Sequence, residues 1–328
     1  MSSDLDRIYA PVAEDLRALG ELLHKELATD DPFIGELVGH VLATRGKLIR
    51  PALALLSASA SGGADEQRLW LAGTVELIHI ASLIHDDIID AADLRRGTST
   101  VNMLWGNQVA VLLGDYLFAT AFDLVSRIRH PDVAPAVAMA AVHMSQAEIQ
   151  AVKIGGEPYD DEATYFGIIE GKTARLFSAA CRAGALIAGA PPATADALAE
   201  FGLQWGVSFQ ITDDALDLTG NRESLGKPIG SDIDAGKVTL PVIAALRRAP
   251  DADRQRLRAL VRGASTAAGD GALEELRAII DRYGGIPHAL AAARAYADRA
   301  TAALDALPAS PAKTSLRDLA AFVLMRAR

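Results

Sequence analysis

Two stretches of this chain are apolar almost all the way round. WLAGTVELIHIASLIHDDIID (Trp70 to Asp90) and FGLQWGVSFQITDDALDLTG (Phe201 to Gly220) have helical character without a polar face. A helix of that kind has to be enclosed by other helices, so each stretch predicts a buried helix in an interior that its neighbours build. Yet each ends in three carboxylates: Asp86, Asp87 and Asp90 in the first, Asp213, Asp214 and Asp217 in the second. The pattern D-D-x-x-D therefore occurs twice, each time at the C-terminal end of a buried helix.

That placement is unfavourable unless something compensates. A helix C-terminus already carries partial negative charge, and adjacent carboxylates repel one another. Asp86 and Asp90 are i and i+4 and stack on one face, with Asp87 about 100° away round the axis; Asp213 and Asp217 repeat the geometry. A solvated helix end, an acid/base pair and a nest for a divalent cation are the three readings. Oxygen-only ligands completed by water and substrate phosphate describe Mg²⁺. Repetition on two buried helices favours the cation.

Half of the 328 residues are apolar and only 5% aromatic, with Ala and Leu dominant. That mix favours helices over sheets. Apolar residues recur at helical spacing nearly throughout, broken at SGG (Ser61 to Gly63), GGEP (Gly155 to Pro158), GAPP (Gly189 to Pro192), GASTAAGDG (Gly263 to Gly271) and YGG (Tyr283 to Gly285). The expected architecture is one all-α domain over residues 1–328, with about ten or more helices. Ser315-x-x-Asp318 reads as a capping-box variant that starts the last helix.

The net charge of −10 argues against nucleic-acid binding, which requires clustered Lys and Arg. Cys181 is the only cysteine, so no disulfide forms within the chain, as suits a reducing compartment. MSSDLDRIYAPVAEDL carries early acids and no apolar core, unlike a secretory signal. No run reaches the ~18 uninterrupted apolar residues of a spanning helix. The expectation is a soluble, cytoplasmic chain with no transmembrane segment, with room for a peripheral membrane contact.

If a metal bridges these acids to phosphate, cations for phosphate should lie elsewhere. GKLIRP (Gly46 to Pro51) puts Lys47 and Arg50 at a helix start whose free N–H groups favour an anion. DLRRGTST (Asp93 to Thr100) pairs Arg95 with Arg96, and adjacent arginines in a turn can address two different anions. GKTARLF (Gly171 to Phe177) and LGKPIGSDIDAGKVTLP (Leu225 to Pro241) add Lys172, Lys227 and Lys237. GKT here is not a P-loop, because the upstream glycine spacing is missing. His79 lies two turns before Asp86 on the same face and is a candidate phosphate or substrate contact, whereas His85 reads as structural.

GKLIRP, HIASLIHDDIIDAADLRRG, GKTARLF, FQITDDALDLTG and GKPIGSDIDAGKVTLP, in that order, resemble the trans-isoprenyl diphosphate synthases, or polyprenyl synthetases, over a motif-bearing core of about residues 46–241. The Val323-to-Arg326 tail is also similar to family C-termini. The resemblance implies the isoprenoid synthase fold, a single helical bundle around a deep central cavity, and a homodimer. It implies two or three Mg²⁺ per active site, with Asp86, Asp90, Asp213 and Asp217 as metal ligands. It places Asp87, Asp214, Lys172 and Lys227 with them in the catalytic set. Lys47, Arg50, His79 and Arg96 correspond to isopentenyl diphosphate contacts. Arg95, Lys172, Thr173, Gln210, Lys227 and Lys237 correspond to positions facing the allylic diphosphate. The implied activity is Mg²⁺-dependent condensation of isopentenyl diphosphate with an allylic diphosphate.

Product length is read from the residues preceding Asp86. Short-chain members of the family often carry Phe or Tyr four and five positions before the first Asp, closing the tunnel. Ala81 and Ser82 are small, which implies a long all-trans product suited to a quinone side chain. The alternatives are a short-chain farnesyl or geranylgeranyl synthase and the catalytic subunit of a heteromeric enzyme. A terpene cyclase would share D-D-x-x-D but has no need of GKLIRP or a second copy of the motif. A di-iron bundle would need a second pair like Glu76-x-x-His79, and none follows on the other motif helix.

Overall fold

The computed structural model describes residues 2–44, 46–63, 65–155, 158–219, 237–264 and 270–326. They are almost entirely helical: α1 (Ser2–Tyr9), α2 (Ala13–Glu26), α3 (Pro32–Ala43), α4 (Ile49–Ala60), α5 (Gln67–Ile89), α6 (Val101–Ser126), α7 (Val133–Ile154), α8 (Glu162–Ile169), α9 (Arg175–Ile187) and α10 (Pro192–Thr219). After them come α11 (Leu240–Arg248), α12 (Asp251–Ala264), α13 (Asp270–Arg282), α14 (Gly285–Ala303) and α15 (Pro311–Met325). The five glycine and proline clusters do end helices, since α4, α7, α9, α12 and α13 stop at or just before them.

Local chemistry sets the helix starts. Asp31 caps α3, its Oδ1 accepting from the N–H groups of Phe33 and Ile34, with Pro32 in the first turn where no donor is needed. Asp161 caps α8 in the same way through Ala163 and Thr164. The start of α15 differs from the sequence reading. Ser310 accepts from the Lys313 N–H at 3.1 Å, so the helix begins at Pro311, and Ser315 lies buried inside it. The Ser-x-x-Asp pattern misled because Pro311 provides the better first-turn residue four positions earlier.

The chain forms two compact units, and neither is a contiguous stretch. One comprises Met1–Ala141, Leu176–Gly202 and Ala303–Leu319; the other comprises Val142–Arg175, Leu203–Ala302 and Ala320–Arg328. In the first, α5 is the central element and packs chiefly on α6, then on α4 and α2. Its residues from Leu71 to Ile78 are all buried, as an all-round apolar helix requires. Each fully buried Leu, Ile or Val there contributes ~1.5–3 kcal/mol. In the second unit, Tyr165, Ile169, Ile211, Leu218, Leu240, Ile243, Leu257 and Ile280 share one apolar core.

Three local features lie outside the helical reading. A two-stranded hairpin, β1 (Leu94–Arg95) and β2 (Thr98–Ser99), pairs Leu94 with Ser99 and Arg95 with Thr98. Its turn is Arg96–Gly97, both with positive φ (53° and 78°), the combination that matches strand twist in a two-residue turn. Residues Glu170–Ala174 form a π-helical turn between α8 and α9. Gly106 (φ 84°, ψ 160°) breaks the helical geometry inside α6.

Candidate active site

The first acidic triplet sits where α5 ends. Asp90 is the C-cap, Asp87 is buried, and Asp86 is half-buried. The compensating charge arrives from the hairpin: Arg95 binds Asp87 Oδ1 through Nη2 at 2.6 Å and Nε at 2.8 Å. Arg96, next in the turn, points elsewhere, with Nη1 donating to the Thr44 carbonyl at 3.0 Å. A Cβ on Gly46 would lie 2.5 Å from Arg96 Nη2, so the glycine of GKLIRP is the space the guanidinium fills.

A cavity of about 60 Å³ joins these elements, lined by Gly46, Glu76, His79, Asp87, Arg95 and Arg96 among others. Desolvation first, then the charges of Arg50, Arg96 and Arg95, holds the His79 imidazole well below its ordinary value. Both effects favour the neutral imidazole, which keeps one ring N–H available as a donor. Desolvation and Arg95 likewise lower the Arg96 pKa, while the buried carboxylate of Glu76 opposes the shift. Lys47 is exposed, and the Arg50 guanidinium lies 4.4 Å over the ring of Phe177. Thus His79, Arg95 and Arg96 share one cavity with Asp87, and Arg50 acts on the same histidine.

The second triplet, near the end of α10, belongs to the other unit. Asp214 and Asp217 are buried and Asp213 is half-buried. Asp214 accepts from Tyr165 Oη at 2.6 Å and from Gln210 Nε2 at 2.7 Å. Gln210 in turn accepts from Thr173 Oγ1 at 2.9 Å. Lys172 and Thr173 project from the π-helical turn, and Lys172 pairs with Glu148 of α7. Arg326, just past α15, places Nη1 2.7 Å from Asp213 Oδ1 and lies over Phe209. Lys237 is exposed on a segment that Tyr159 tethers through the Val238 carbonyl. Lys227 lies outside the described residues.

The middle carboxylate of each triplet is therefore engaged by the protein's own donors. Asp86 and Asp90 retain the i, i+4 spacing that suits a hard cation. Among the described residues no three His, Cys, Asp or Glu side chains converge on a complete metal cage. One or two carboxylates, with the remaining positions left to water and phosphate oxygens, fit Mg²⁺ chemistry.

Ala81 is fully buried in α5, and Ser82 is half-buried with its hydroxyl donating to the His79 carbonyl at 2.8 Å. Neither lines the cavity around His79. His85 is held by α6, with Nε2 3.3 Å from the Val111 carbonyl and its ring stacked on Phe118. Glu148, Tyr165 and Arg326 were not singled out for site roles by the sequence. They come from separate stretches of chain, and no local pattern marks them as neighbours of Lys172, Asp214 and Asp213.

An all-helical fold with two such acidic triplets, and cations beside each, suits an enzyme that binds phosphorylated substrates with the help of a divalent cation. The polyprenyl synthetase family profile matches residues 31–280, and the chain belongs to that family. It is 38% identical to heptaprenyl diphosphate synthase component 2 of Geobacillus stearothermophilus, over 97% of this chain and 98% of that protein. It is 42% identical to a short chain isoprenyl diphosphate synthase of Methanothermobacter thermautotrophicus, over 88% of each. The crystal structure of a Caulobacter crescentus polyprenyl synthase, complexed with calcium and isoprenyl diphosphate, superposes with a TM-score of 0.91 at 33% identity, covering 99% of this chain and 98% of that one.

Proposed function

We propose that this protein is a trans-prenyltransferase that condenses isopentenyl diphosphate with an allylic diphosphate and repeats the step to a long all-trans polyprenyl diphosphate. The observation that carries the reading is the cavity where His79, Arg95 and Arg96 meet Asp87 at the end of α5. It combines anion-binding donors with the first acidic motif in one unit.

Divalent cation dependence is expected from the donor chemistry: Asp86 and Asp90 on α5, and Asp213 and Asp217 on α10, would hold Mg²⁺. When bound, two or three Mg²⁺ would neutralise charge developing on the leaving diphosphate. The residues of the chain orient the substrates around that event. Lys47, Arg50, His79 and Arg96 hold isopentenyl diphosphate. Arg95, Lys172, Thr173, Gln210, Lys227 and Lys237 address the allylic diphosphate. The allylic C1–O bond breaks with its electron pair leaving on diphosphate, and the isopentenyl double bond supplies the pair for the new C–C bond. The cation so formed loses a proton to the departing diphosphate, and apolar side chains keep water away.

A homodimer accounts for α6. By length and hydropathy this helix could cross a membrane, yet its Leu113, Leu117, Ala121 and Leu124 are buried in the first unit. Its other face exposes Met103, Leu104, Val111, Leu112 and Phe122, which suits a second copy of the chain. A heteromeric arrangement is the second reading, because two relatives are named as a component 2.

The test is a product assay of the purified chain with isopentenyl diphosphate, several allylic primers and Mg²⁺, with chain length read by chromatography. Long polyprenyl products support the reading. Farnesyl or geranylgeranyl products would leave the prenyltransferase and overturn the long-chain assignment. Activity only after adding a second protein would favour the heteromer.

A further inference from the structure

Tyr9 ends α1, well before the residues that match the family begin. Its ring is buried, as are Leu5 and Ile8 of the same helix. Its hydroxyl donates to the carbonyl oxygen of Lys47 at 3.0 Å, a contact spanning 38 positions of sequence. Burial, and secondarily the negative charge of Glu76, raises its pKa, so the phenol keeps the proton it donates.

The carbonyl it holds belongs to the peptide joining Lys47 to Leu48. Leu48 has φ 51° and ψ 35°, the left-handed region, immediately before α4 begins at Ile49. A leucine adopts that conformation only where its surroundings impose it. Two contacts bracket the turn: Arg96 packs on Gly46 before it, and Tyr9 holds the peptide within it. Together they set Lys47 just outside α4 and Arg50 in its first turn.

We propose that Tyr9 is a positioning residue for isopentenyl diphosphate, holding the Lys47–Leu48 peptide in the turn that sets Lys47 and Arg50 in place. The inference rests on the reading that these two cations serve that substrate. It gives the N-terminal helix a part in the diphosphate site through the backbone of Lys47.

The experiment compares full-length Tyr9→Phe with Lys47→Ala in steady-state kinetics, varying each substrate in turn. Phenylalanine keeps the buried ring and removes the hydrogen bond. Tyr9→Phe should raise the KM for isopentenyl diphosphate roughly three- to tenfold, leaving kcat and the allylic KM within about twofold of wild type. Lys47→Ala should raise the same KM. If Lys47→Ala leaves that KM unchanged, the assignment of the site fails and the inference with it. If Lys47→Ala raises it and Tyr9→Phe does not, or if Tyr9→Phe shifts both substrates equally, the positioning role alone is overturned.

Discussion

Tyr165 donates its hydroxyl proton to Asp214 at 2.6 Å, and both side chains are buried. With Gln210 on the other oxygen, Asp214 is held from two sides beside the carboxylates proposed for metal. Asp87 is held comparably by Arg95. In both triplets the middle carboxylate is held by the protein's own donors, and its neighbours carry the i, i+4 spacing that suits a cation.

Removing the Tyr165 hydroxyl should therefore disturb catalysis and stability together. A hydrogen bond to a charged group is worth ~1.5–3 kcal/mol, so Tyr165→Phe should lower kcat roughly tenfold or more. The thermal midpoint should fall as well, because Asp214 stays buried with one donor fewer. Wild-type kcat and midpoint in a calorimetric and kinetic comparison would show the contact to be incidental.

Asp86→Ala or Asp213→Ala should lower turnover by about three orders of magnitude or more and leave the helical circular dichroism unchanged. Chelation of divalent metal should have the same effect on the wild type. Near-normal turnover in Asp86→Ala would remove that residue from the metal site.

Arg326 places a cation on Asp213, where the proposed metal would have to compete with it. Arg326→Gln should lower the Mg²⁺ concentration for half-maximal activity by roughly two- to fivefold, the scale of a partly exposed ion pair. A rise in that concentration, seen in a Mg²⁺ titration of initial rates, would show that Arg326 helps rather than competes.

The depressed pKa of His79 predicts a slope of stability with pH. The unfolded chain protonates this imidazole near its ordinary value of 6.5 while the folded protein keeps it neutral. The unfolded state thus binds more protons below that pH, so the contribution is fully present above it and is lost as pH falls. His79→Gln should remove up to about 1.4 kcal/mol per pH unit of that slope in denaturant unfolding below pH 6.5. Parallel pH profiles for mutant and wild type would refute the shift.

Ala81→Phe should shift products towards farnesyl or geranylgeranyl length without abolishing turnover. Ala81 is 0% exposed, so the larger ring should also destabilise the fold by ~1–3 kcal/mol. Ser82→Phe, at a half-buried position, tests the same constriction at less cost to packing. Unchanged product length in both variants would detach these residues from length control.

Much of the architecture was legible because helical punctuation is local. Gly and Pro clusters ended α4, α7, α9, α12 and α13, and two all-apolar stretches became buried helices. The same locality explains the error at α15, where Ser315 resembled a cap but Ser310 with Pro311 begins the helix. The hairpin at Arg95–Arg96 escaped because its turn needs positive φ at an arginine, which composition does not announce. The π-helical turn at Lys172 likewise depends on how α8 and α9 join.

The sequence by itself determined the all-α class, the two acidic triplets and the cations of GKLIRP, DLRRG and GKTARLF, because spacing along a helix fixes which face a residue occupies. Only the tertiary structure decided the partners: Arg95 on Asp87, Tyr165 and Gln210 on Asp214, Arg326 on Asp213, Glu148 on Lys172 and Tyr9 on Lys47. Most of these pairs join side chains far apart along the chain. For Asp87 and Asp214 burial makes a partner obligatory, since a carboxylate taken out of water needs a donor, and packing selects which donor arrives.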